Sequence, residues 1–597
     1  MTYQSPVPDI LFSLQHVAGL DSEISAGLFG ELDWETVASV IGEAGRFATE
    51  AIAPLNRVGD LEGARYENGR VTSPPGFREV YRRWAEAGWA GVTASPEYGG
   101  MGLPHAVNFA CTEIWNGASM GFALCPLLSE GALGALNAHG SPALREIYMR
   151  KMITGEWTGT MNLTEPQAGS DLNAVKTRAE RAEDGTYRVF GQKIFITYGE
   201  HDLADNIVHL VLARLPDAPP GTRGLSLFLV PKFLVKPDGA LGGRNDARCA
   251  SIEHKLGIHA SPTCVMIYGD GGGATGWLVG EENRGLAAMF VMMNSARLAV
   301  GMQGVAIGER AYQHALAYAR ERRQGRSASG GAGVSPILEH PDVQRMLMTM
   351  KSLVQAARGI CHLTGVAIDR SFHAPTVEER AAAGERAALL TPIAKAFSTD
   401  IGDEVASVGV QVHGGMGYIE ETGAAQFMRD ARIAAIYEGT NGVQAIDLVQ
   451  RKLPLSGGAA VAREIAGIRA VATDVASQGG DGFGATAQRL REAADALESA
   501  TAFLHETLAS DSDAALASAT PYLRLFALAL GGACLAKAGL AAQSAPRQAG
   551  GTPPLGRVAL ARFFAEKLAT AAPGLAQTVL SGGAALKSHE SALQEFA

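Results

Sequence analysis

The spacing of apolar residues changes twice along this chain, and that change constrains the fold more than any other feature. Between residues 157 and 279, apolar residues alternate as in strands, and clusters of Gly, Pro and Asp separate the segments. The clearest of these segments are Val189–Thr197, Ile207–Ala213 and Leu225–Val230. Before and after this region the apolar residues recur at helical spacing. The sequence therefore predicts a mainly α fold with an inserted β-domain.

The helical regions divide into segments with recognisable ends. Helical spacing runs from Trp34 to Val58, with an end expected near Pro54. Helices are also predicted from Phe77 to Gly88, Arg297 to Arg323, Pro341 to Ser371 and Ala381 to Val412, with a buried helix pair in His105–His139. Two Gly- and Asp-rich stretches of the β-domain, Lys236–Arg248 and Gly269–Gly276, are predicted as loops. After a Pro/Gly linker, Ala-rich helices follow, with breaks at Gln478–Thr486 and Ser544–Leu555. We expect four domains: residues 1–156 (helical), 157–282 (β), 283–453 (helical) and 454–597 (a helical extension with a packing role).

Composition narrows the class of function. The chain has 597 residues, of which 47% are hydrophobic and 19% charged, so it can bury several cores. Its net charge of −10, with no Lys/Arg-rich run, argues against nucleic acid as the main partner. The N-terminus lacks the basic and apolar segments of a signal peptide. The chain contains no run of about 18 apolar residues, so no membrane span is expected. The six cysteines are scattered, as in reduced cytoplasmic proteins without a disulfide or zinc framework.

Glu438 is a single carboxylate in an apolar setting, within Ile436-Tyr437-Glu438-Gly439-Thr440-Asn441. Burial of a carboxylate away from other charges raises its pKa, and a raised pKa suits a general base near neutral pH. Gly439 lacks a Cβ, so a ligand can approach the backbone closely there. An ordinary acidic residue of a surface turn is the alternative for this segment taken by itself.

Four further segments could contact a ligand, although each has an ordinary structural interpretation. Thr164–Asp171 is a small-residue loop that could offer N–H and hydroxyl donors, or it is a plain turn. Phe195-Ile196-Thr197 ends a strand with an aromatic ring beside a hydroxyl, or it belongs to the core. The adjacent glycines after Gln411-Val412-His413 permit close approach of a ligand. The guanidinium groups of Arg320–Arg323 could bind a pyrophosphate, or form a solvated helix end.

The order of these segments is more specific than any one of them. Together with Met428-Arg429-Asp430-Ala431-Arg432, they resemble the acyl-CoA dehydrogenase family over about Ala38 to Leu453. The resemblance implies an N-terminal helical domain, a middle β-barrel-like domain and a C-terminal four-helix bundle. The helical extension resembles a larger bacterial subgroup that includes 3-methylmercaptopropionyl-CoA dehydrogenases.

The resemblance also implies a role for individual residues. Glu438 would be the catalytic base. Substrate would be contacted by Ser170, Asn294, Arg297, Tyr437 and Gly439. Arg322, Gln411, Val412, Gly414 and Gly415 would contact the FAD of a neighbouring subunit. The remaining FAD contacts would be Met161, Leu163, Thr164, Gly169, Ser170, Phe195, Ile196, Thr197, Thr440 and Asn441.

The implied reaction is α,β-dehydrogenation of an acyl-CoA thioester to the trans-2-enoyl-CoA. Glu438 would remove the α-proton while the β-hydrogen leaves as hydride to flavin N5, and an electron-transfer flavoprotein would accept the electrons. The expected substrate is 3-methylthiopropionyl-CoA or a short- or medium-chain acyl-CoA. The alternatives are a long-chain dehydrogenase of β-oxidation, an oxidase that reduces O₂, and a flavin-free scaffold protein with the same fold. The shared FAD site implies a homo-oligomer, which we expect to be a dimer because the extension would cover the surface used for tetramers.

Some positions support the resemblance and others depart from it. Family members that carry the base on the preceding helix have a small residue in place of Glu438; here Ala296 occupies that helix position and Glu438 is present. Phe195 replaces a common tryptophan, and Gly442 replaces a common glutamine. The segment Gln324-Gly325-Arg326 also differs from the usual pattern. The resemblance therefore assigns no contacts across the subunit interface to residues after Arg322.

Overall fold

A computed structural model describes residues 3–327, 333–544, 556–584, 586 and 589–595. Its helices before the β-domain are α1 (Val7–Phe12), α2 (Leu20–Ser25), α3 (Trp34–Phe47), α4 (Leu55–Glu62), α5 (Phe77–Glu86), α6 (His105–Ala118), α7 (Met120–His139) and α8 (Pro142–Ile153). The central helices are α9 (Gly285–Glu321), α10 (Pro341–His373), α11 (Val377–His413), α12 (Ala424–Ala431) and α13 (Asn441–Asp447). Those of the extension are α14 (Ala459–Gln478), α15 (Thr486–Ser510), α16 (Ser512–Ala517), α17 (Ala519–Ser544), α18 (Gly556–Lys567), α19 (Ala572–Leu580) and α20 (His589–Glu595).

The β-domain is an eight-stranded sheet that closes on itself. The strands of the chain are β1 (Arg65–Glu67), β2 (Arg70–Thr72), β3 (Trp157–Asn162), β4 (Arg178–Arg181), β5 (Tyr187–Thr197), β6 (Asn206–Arg214), β7 (Leu225–Pro231), β8 (Phe233–Val235), β9 (Leu241–Arg244), β10 (Ala247–Ile252), β11 (Thr263–Tyr268) and β12 (Ala274–Val279). The sheet runs β10-β11-β5-β12-β7-β6-β3, and β4 pairs with both β5 and β6. This closure removes edges that would otherwise be open, so the predicted barrel-like β-domain between helical regions is confirmed.

The helical core is built around α9, α10 and α11, which pack along one another, while α12 and α13 cover α11. Helix α11 starts with a capping box at Thr376 and Glu379, which satisfies the first free backbone N–H groups. Helix α17 of the extension packs on α10 and α11, and the apolar core is continuous from the bundle into the extension.

A buried ionic network joins the N-terminal segment, the bundle and the extension. Arg358 of α10 has no exposed area and donates hydrogen bonds to Glu113 at 2.7 Å and to Glu309 at 3.0 Å. Asp9 of α1 accepts from Lys351 and from Arg557 of α18, each at 2.8 Å. Three regions distant in sequence therefore share one set of compensated charges.

Several predicted elements differ in extent from those observed. The helix expected at Arg297 begins twelve residues earlier, at Gly285, because the apolar pattern continues without a break. The two Gly- and Asp-rich stretches are not only loops, since they contain β9 and parts of β10 and β12. The helix expected to end near Pro54 ends as α3 at Phe47 and continues as a π-helical turn over Ala48–Ile52, before α4 begins just after Pro54. The predicted break at Ser544–Leu555 lies mostly outside the described residues.

Two helices are long and apolar enough to cross a membrane by length and composition alone: Gly285–Glu321 and Ala519–Ser544. The search covered the described residues only. Within their most apolar windows, 56% and 83% of the residues are buried against the rest of the protein. This burial is typical of core helices.

Candidate active site

Glu438 lies in the short connection between α12 and α13, in a backbone conformation that non-glycine residues rarely adopt. Its φ is +55° and that of Gly439 is +85°. The positive φ of residue 439 favours glycine, and an added Cβ there would also lie 2.7 Å from the Gln444 side-chain nitrogen. Thr440 then caps α13, because its hydroxyl accepts a hydrogen bond from the Val443 backbone N–H at 3.2 Å. A non-glycine residue at positive φ is unusual and marks a site where the surrounding structure holds the backbone.

The side chain of Lys395, on α11, is hydrogen-bonded to this loop. It has no exposed area, and its Nζ donates hydrogen bonds to the Gly439 carbonyl at 2.8 Å and to Asn441 Oδ1 at 2.9 Å. Asn441 Nδ2 in turn donates to Asp400 at 2.6 Å and to Thr399 at 2.9 Å. The side-chain amide of Asn441 is thus used within the chain, so the predicted FAD contact of this residue would have to involve its backbone.

Burial shifts the pKa of both the acid and the amine of this loop toward neutrality. Burial raises the pKa of Glu438 to about 7, against the opposing effects of Lys395 and Arg297. Burial lowers the pKa of Lys395 to about 7, although Glu438 and Asp400 favour its charged form. The Glu438 side chain is half-buried and so stays accessible to a substrate. A carboxyl group with this pKa is partly ionised at pH 7 and can accept a proton.

Four of the five expected substrate residues lie on α9 or on the base loop itself. Arg297 lies close enough to Glu438 to affect its pKa, and donates to Asn294 Oδ1 at 3.3 Å. Burial lowers the pKa of Arg297. The Tyr437 hydroxyl donates a hydrogen bond to Gln303 Oε1 on α9. The loop is therefore anchored on both α9 and α11. Ser170 lies on the surface of a different loop.

The loop Thr164–Asp171 is fixed by a buried carboxylate. Glu165 accepts hydrogen bonds from Lys193 Nζ at 2.8 Å and from the backbone N–H groups of Lys176 and Thr177 at 2.7 and 3.0 Å. The Lys193 and Glu165 side chains are 0% and 3% exposed, so the pair is both buried and hydrogen-bonded. This anchor leaves Gly169 and Ser170 exposed, and a Cβ at residue 169 would meet no atom within 4 Å.

The end of β5 presents an aromatic ring to solvent next to this loop. Phe195 is 58% exposed and has a φ of +60°, and the neighbouring Ile194 N–H donates to the Thr164 carbonyl at 2.9 Å. The Thr160 hydroxyl donates to the Thr197 carbonyl at 2.7 Å. An exposed phenylalanine on a strained backbone provides a flat apolar face on which a flavin ring can stack.

Several predicted cofactor residues point into the core. The side chains of Met161, Ile196 and Val412 are buried, so only their backbone atoms can meet a cofactor. Leu163 and Thr164 are half-buried on the loop itself.

A second group of predicted residues lies at the far end of the bundle. Tyr318 and His413 stack with ring centroids 4.4 Å apart, which places the ends of α9 and α11 together. Arg322, Gln411, Gly414 and Gly415 follow there and are exposed. Twenty-five residues of α9 separate Arg297 from Arg322, or about 37 Å at the helical rise of 1.5 Å per residue.

The residues present fit FAD. The open Gly169–Ser170 segment, the exposed Phe195 ring and the half-buried Thr197 share one region of the β-domain, as a flavin and its ribityl chain require. The exposed Arg322 and the open Gly414 and Gly415 fit an anionic pyrophosphate and a nucleotide approached through backbone.

Sequence reasoning missed the residues that support the site rather than form it. The supporting residues that were not predicted are Lys395, Gln303, Asp400 and the Lys193–Glu165 pair. For Lys395 a signal existed, since it is the single charge in the apolar stretch 389–397 of α11. A charge in such a stretch is costly unless a buried partner is present.

Family models match almost the whole chain in the order expected. They are the acyl-CoA dehydrogenase N-terminal domain (residues 37–156), middle domain (160–270) and C-terminal domain (283–453), and a region described as acetyl-CoA dehydrogenase C-terminal like (462–588). The chain therefore belongs to the acyl-CoA dehydrogenase family of FAD-dependent oxidoreductases, whose members act on acyl-CoA and use electron-transferring flavoproteins.

Among characterised relatives, the chain is 50% identical over 570 residues to a 3-methylmercaptopropionyl-CoA dehydrogenase of Ruegeria pomeroyi, covering 95% of this chain and 96% of the relative. It is 36% identical to a butyryl-CoA dehydrogenase of Syntrophomonas wolfei, over 75% of each chain. An acyl-CoA dehydrogenase structure from Bacillus anthracis complexed with FAD has a TM-score of 0.74 at 20% identity, covering 95% of this chain and 92% of that one; it supports the fold alone.

Proposed function

We propose that this acyl-CoA dehydrogenase oxidises a short-chain acyl-CoA to its trans-2-enoyl-CoA, with Glu438 as the base that removes the α-proton. The observation that carries this proposal is the position and pKa of Glu438. Its carboxyl group is held by a strained loop, is accessible, and has a pKa of about 7. A base with this pKa is matched to a reaction near neutral pH.

The loop also supplies a donor for the substrate carbonyl. Among the residues that the structure describes, the Glu438 backbone N–H donates to no protein acceptor. Such a free N–H can polarise a thioester carbonyl and so make the α-proton more acidic. Bound FAD would supply the acceptor for the β-hydride. Its flavin half would be held by the Thr164–Ser170 loop and Phe195–Thr197.

The substrate assignment is supported by the relative that is 50% identical along almost the full length. That protein acts on 3-methylmercaptopropionyl-CoA, which is another name for 3-methylthiopropionyl-CoA. We infer the same substrate for this chain, with butyryl-CoA as the nearest purely aliphatic comparison. Electron-transfer flavoprotein is the proposed electron acceptor.

The separation of the two FAD-binding groups supports a homodimer. Arg297 lies beside the base, and Arg322 lies about 37 Å further along the direction of α9. Arg322, Gln411, Gly414 and Gly415 would therefore serve the cofactor of a second copy. We also propose the four-domain division given above and a cytoplasmic location. The six unpaired, buried cysteines support a reducing compartment.

The decisive experiment is reduction of the bound flavin under anaerobic conditions. Wild-type protein mixed with 3-methylthiopropionyl-CoA should lose the visible absorbance of oxidised flavin, and Glu438→Gln should keep FAD but react at least about a hundredfold more slowly. Glu421→Gln, which changes an exposed acid in the segment before α12, is the matched control. A normal rate in Glu438→Gln would disprove the base assignment. Rapid peroxide formation in air without the flavoprotein acceptor would indicate an oxidase instead.

A further inference from the structure

Three hydrogen-bonded side chains connect the loop that carries Glu438 to helix α6. The hydroxyl of Tyr437, the residue before the base, donates to Gln303 Oε1 on α9. Gln303 Nε2 donates to Asn116 Oδ1 on α6 at 3.1 Å, and Asn116 Nδ2 donates to the Thr112 backbone carbonyl at 2.8 Å. Gln303 and Asn116 are 0% and 2% exposed, so these bonds are shielded from water. We name Tyr437, Gln303 and Asn116 the Gln303 network.

The direction of every hydrogen bond in the Gln303 network follows from its far end. A backbone carbonyl can only accept, so the Thr112 oxygen requires the NH₂ group of Asn116. The amide oxygen of Asn116 then faces Gln303 and can bond only the NH₂ group of that residue. The amide oxygen of Gln303 is left for Tyr437, and it bonds a hydroxyl only by accepting the proton. The hydroxyl proton of Tyr437 is therefore committed to Gln303.

The position of this proton matters because Tyr437 interacts with the base. Burial raises the pKa of the Tyr437 hydroxyl, and the nearby charge of Glu438 raises it further. A hydroxyl that donated to the Glu438 carboxylate would stabilise the ionised form and so make it a weaker base. Lys395 on α11 and Arg297 on α9 already favour that ionised form. While Gln303 holds the proton, Tyr437 adds no third stabilising partner.

We propose that Gln303 is a positioning residue for the reaction, which holds the Tyr437 hydroxyl against α9 and keeps its proton away from the Glu438 carboxylate. This inference rests on the proposed function and deepens it. Gln303 acts on the reaction through Tyr437. Without Gln303, the hydroxyl is free to turn to Glu438, and the loop of the base loses its anchor on α9.

The test separates the amide from the proton that it holds. Gln303→Met keeps an unbranched side chain and removes the acceptor, Tyr437→Phe removes the proton, and the double variant removes both. Asn116→Leu frees the Gln303 amide to turn, and so serves as a second variant if Gln303→Met does not fold. Gln355→Met is the matched control, since Gln355 is a buried glutamine of α10 that donates to Asp9 in the ionic network. Flavin absorbance and thermal unfolding show which variants are folded and loaded with FAD.

The readout is the pH dependence of anaerobic flavin reduction by 3-methylthiopropionyl-CoA, measured by stopped flow. In Gln303→Met, the midpoint of the rise in rate should fall by about one pH unit from the wild-type value of about 7, because the ionised base gains a hydrogen bond. The limiting rate should fall about tenfold, since the base is weaker and less firmly placed, while KM changes little. Asn116→Leu should shift the midpoint in the same direction. In Tyr437→Phe, in the double variant and in Gln355→Met, the midpoint should stay at the wild-type value.

A purely structural role for Gln303 would lower thermal stability and leave the midpoint unchanged. That result in folded, FAD-loaded Gln303→Met or Asn116→Leu would overturn the inference, and so would an equal shift in the double variant. Failure of the proposed function is distinguishable. If Glu438→Gln reduces the flavin at the normal rate, Glu438 is not the base and both proposals are wrong. If Glu438→Gln is inactive but Gln303→Met keeps the wild-type midpoint, only the role of Gln303 is wrong.

Discussion

Replacing Lys395 by methionine should raise the pKa at which the base becomes active. The substitution keeps an unbranched apolar stem and removes the buried ammonium group. Lys395 is the first of the charges that favour the ionised form of Glu438, ahead of Arg297. Loss of a nearby cation makes a carboxylate harder to ionise. The pKa of Glu438 should therefore rise above its value of about 7.

The size of the effect follows from two contributions. One pKa unit corresponds to about 1.4 kcal/mol, so an upward shift of about one unit lowers the ionised fraction at pH 7 about fivefold. The Gly439 carbonyl also loses its donor at 2.8 Å and Asn441 loses one at 2.9 Å. Hydrogen bonds to a charged group contribute about 1.5–3 kcal/mol each, and here they hold Glu438 at its positive φ. Together we expect kcat at pH 7 to fall about 10- to 100-fold.

The assay is stopped-flow reduction of the flavin by acyl-CoA as a function of pH. The base must be ionised to accept a proton, so the rate should rise with pH through about 7 in wild-type protein and about one unit higher in Lys395→Met. Asp400 and Arg297 also face Lys395 and remain in place. KM should change little. Lys567→Met, at an exposed lysine of the extension, is the control. An unchanged or lower midpoint in folded, FAD-loaded Lys395→Met would refute this reasoning.

Three further substitutions test other parts of the structure. Glu130→Gln should stabilise the protein more at pH 8 than at pH 5. In the folded protein the pKa of Glu130 is about 7, above its ordinary value of 4.5. Ionisation of Glu130 therefore disfavours the native state increasingly as the pH rises from 4.5 to 7. Differential scanning calorimetry at both pH values measures this, and an equal Tm change at both would contradict it. Arg358→Met leaves Glu113 buried without its partner and should cost about 3–5 kcal/mol in urea unfolding; a loss below about 1 kcal/mol would show that the network is not needed. Phe195→Ala should weaken FAD retention during dialysis without lowering Tm by more than a few degrees, because the ring is 58% exposed; full retention would argue against stacking on this ring.

The sequence predicted the parts of the fold that depend on local pattern. Alternation in Val189–Thr197 and helical spacing from Pro341 onward mark elements whose ends lie within a few residues of those observed. The closure of the sheet was not predictable in detail. It depends on β4, whose short segment Arg178–Arg181 is largely polar and has no strand-like alternation. Its strand conformation comes from pairing with β5 and β6, which lie elsewhere in the sequence.

The site was predictable where motifs are contiguous and unpredictable where contacts are long-range. Tyr437 to Asn441 form one segment, so their proximity was certain. Lys395 contacts Gly439 across 44 residues, and helix propensity gives no reason to expect that pairing. Residues assigned from resemblance alone also include some whose side chains face the core, such as Val412. A resemblance gives a position along the chain, and only packing decides which atoms are free at that position.

Gln303, on α9, connects the base loop with helix α6. Its amide has one acceptor and two donor hydrogens, and in the structure it accepts from Tyr437 and donates to Asn116. Because Gln303 has no exposed area, the amide cannot rotate without leaving a buried group unpaired. The orientation of Tyr437, and so the backbone that carries Glu438, is thereby fixed relative to Asn116 of α6. A change at Asn116 therefore also acts on the loop that holds the base.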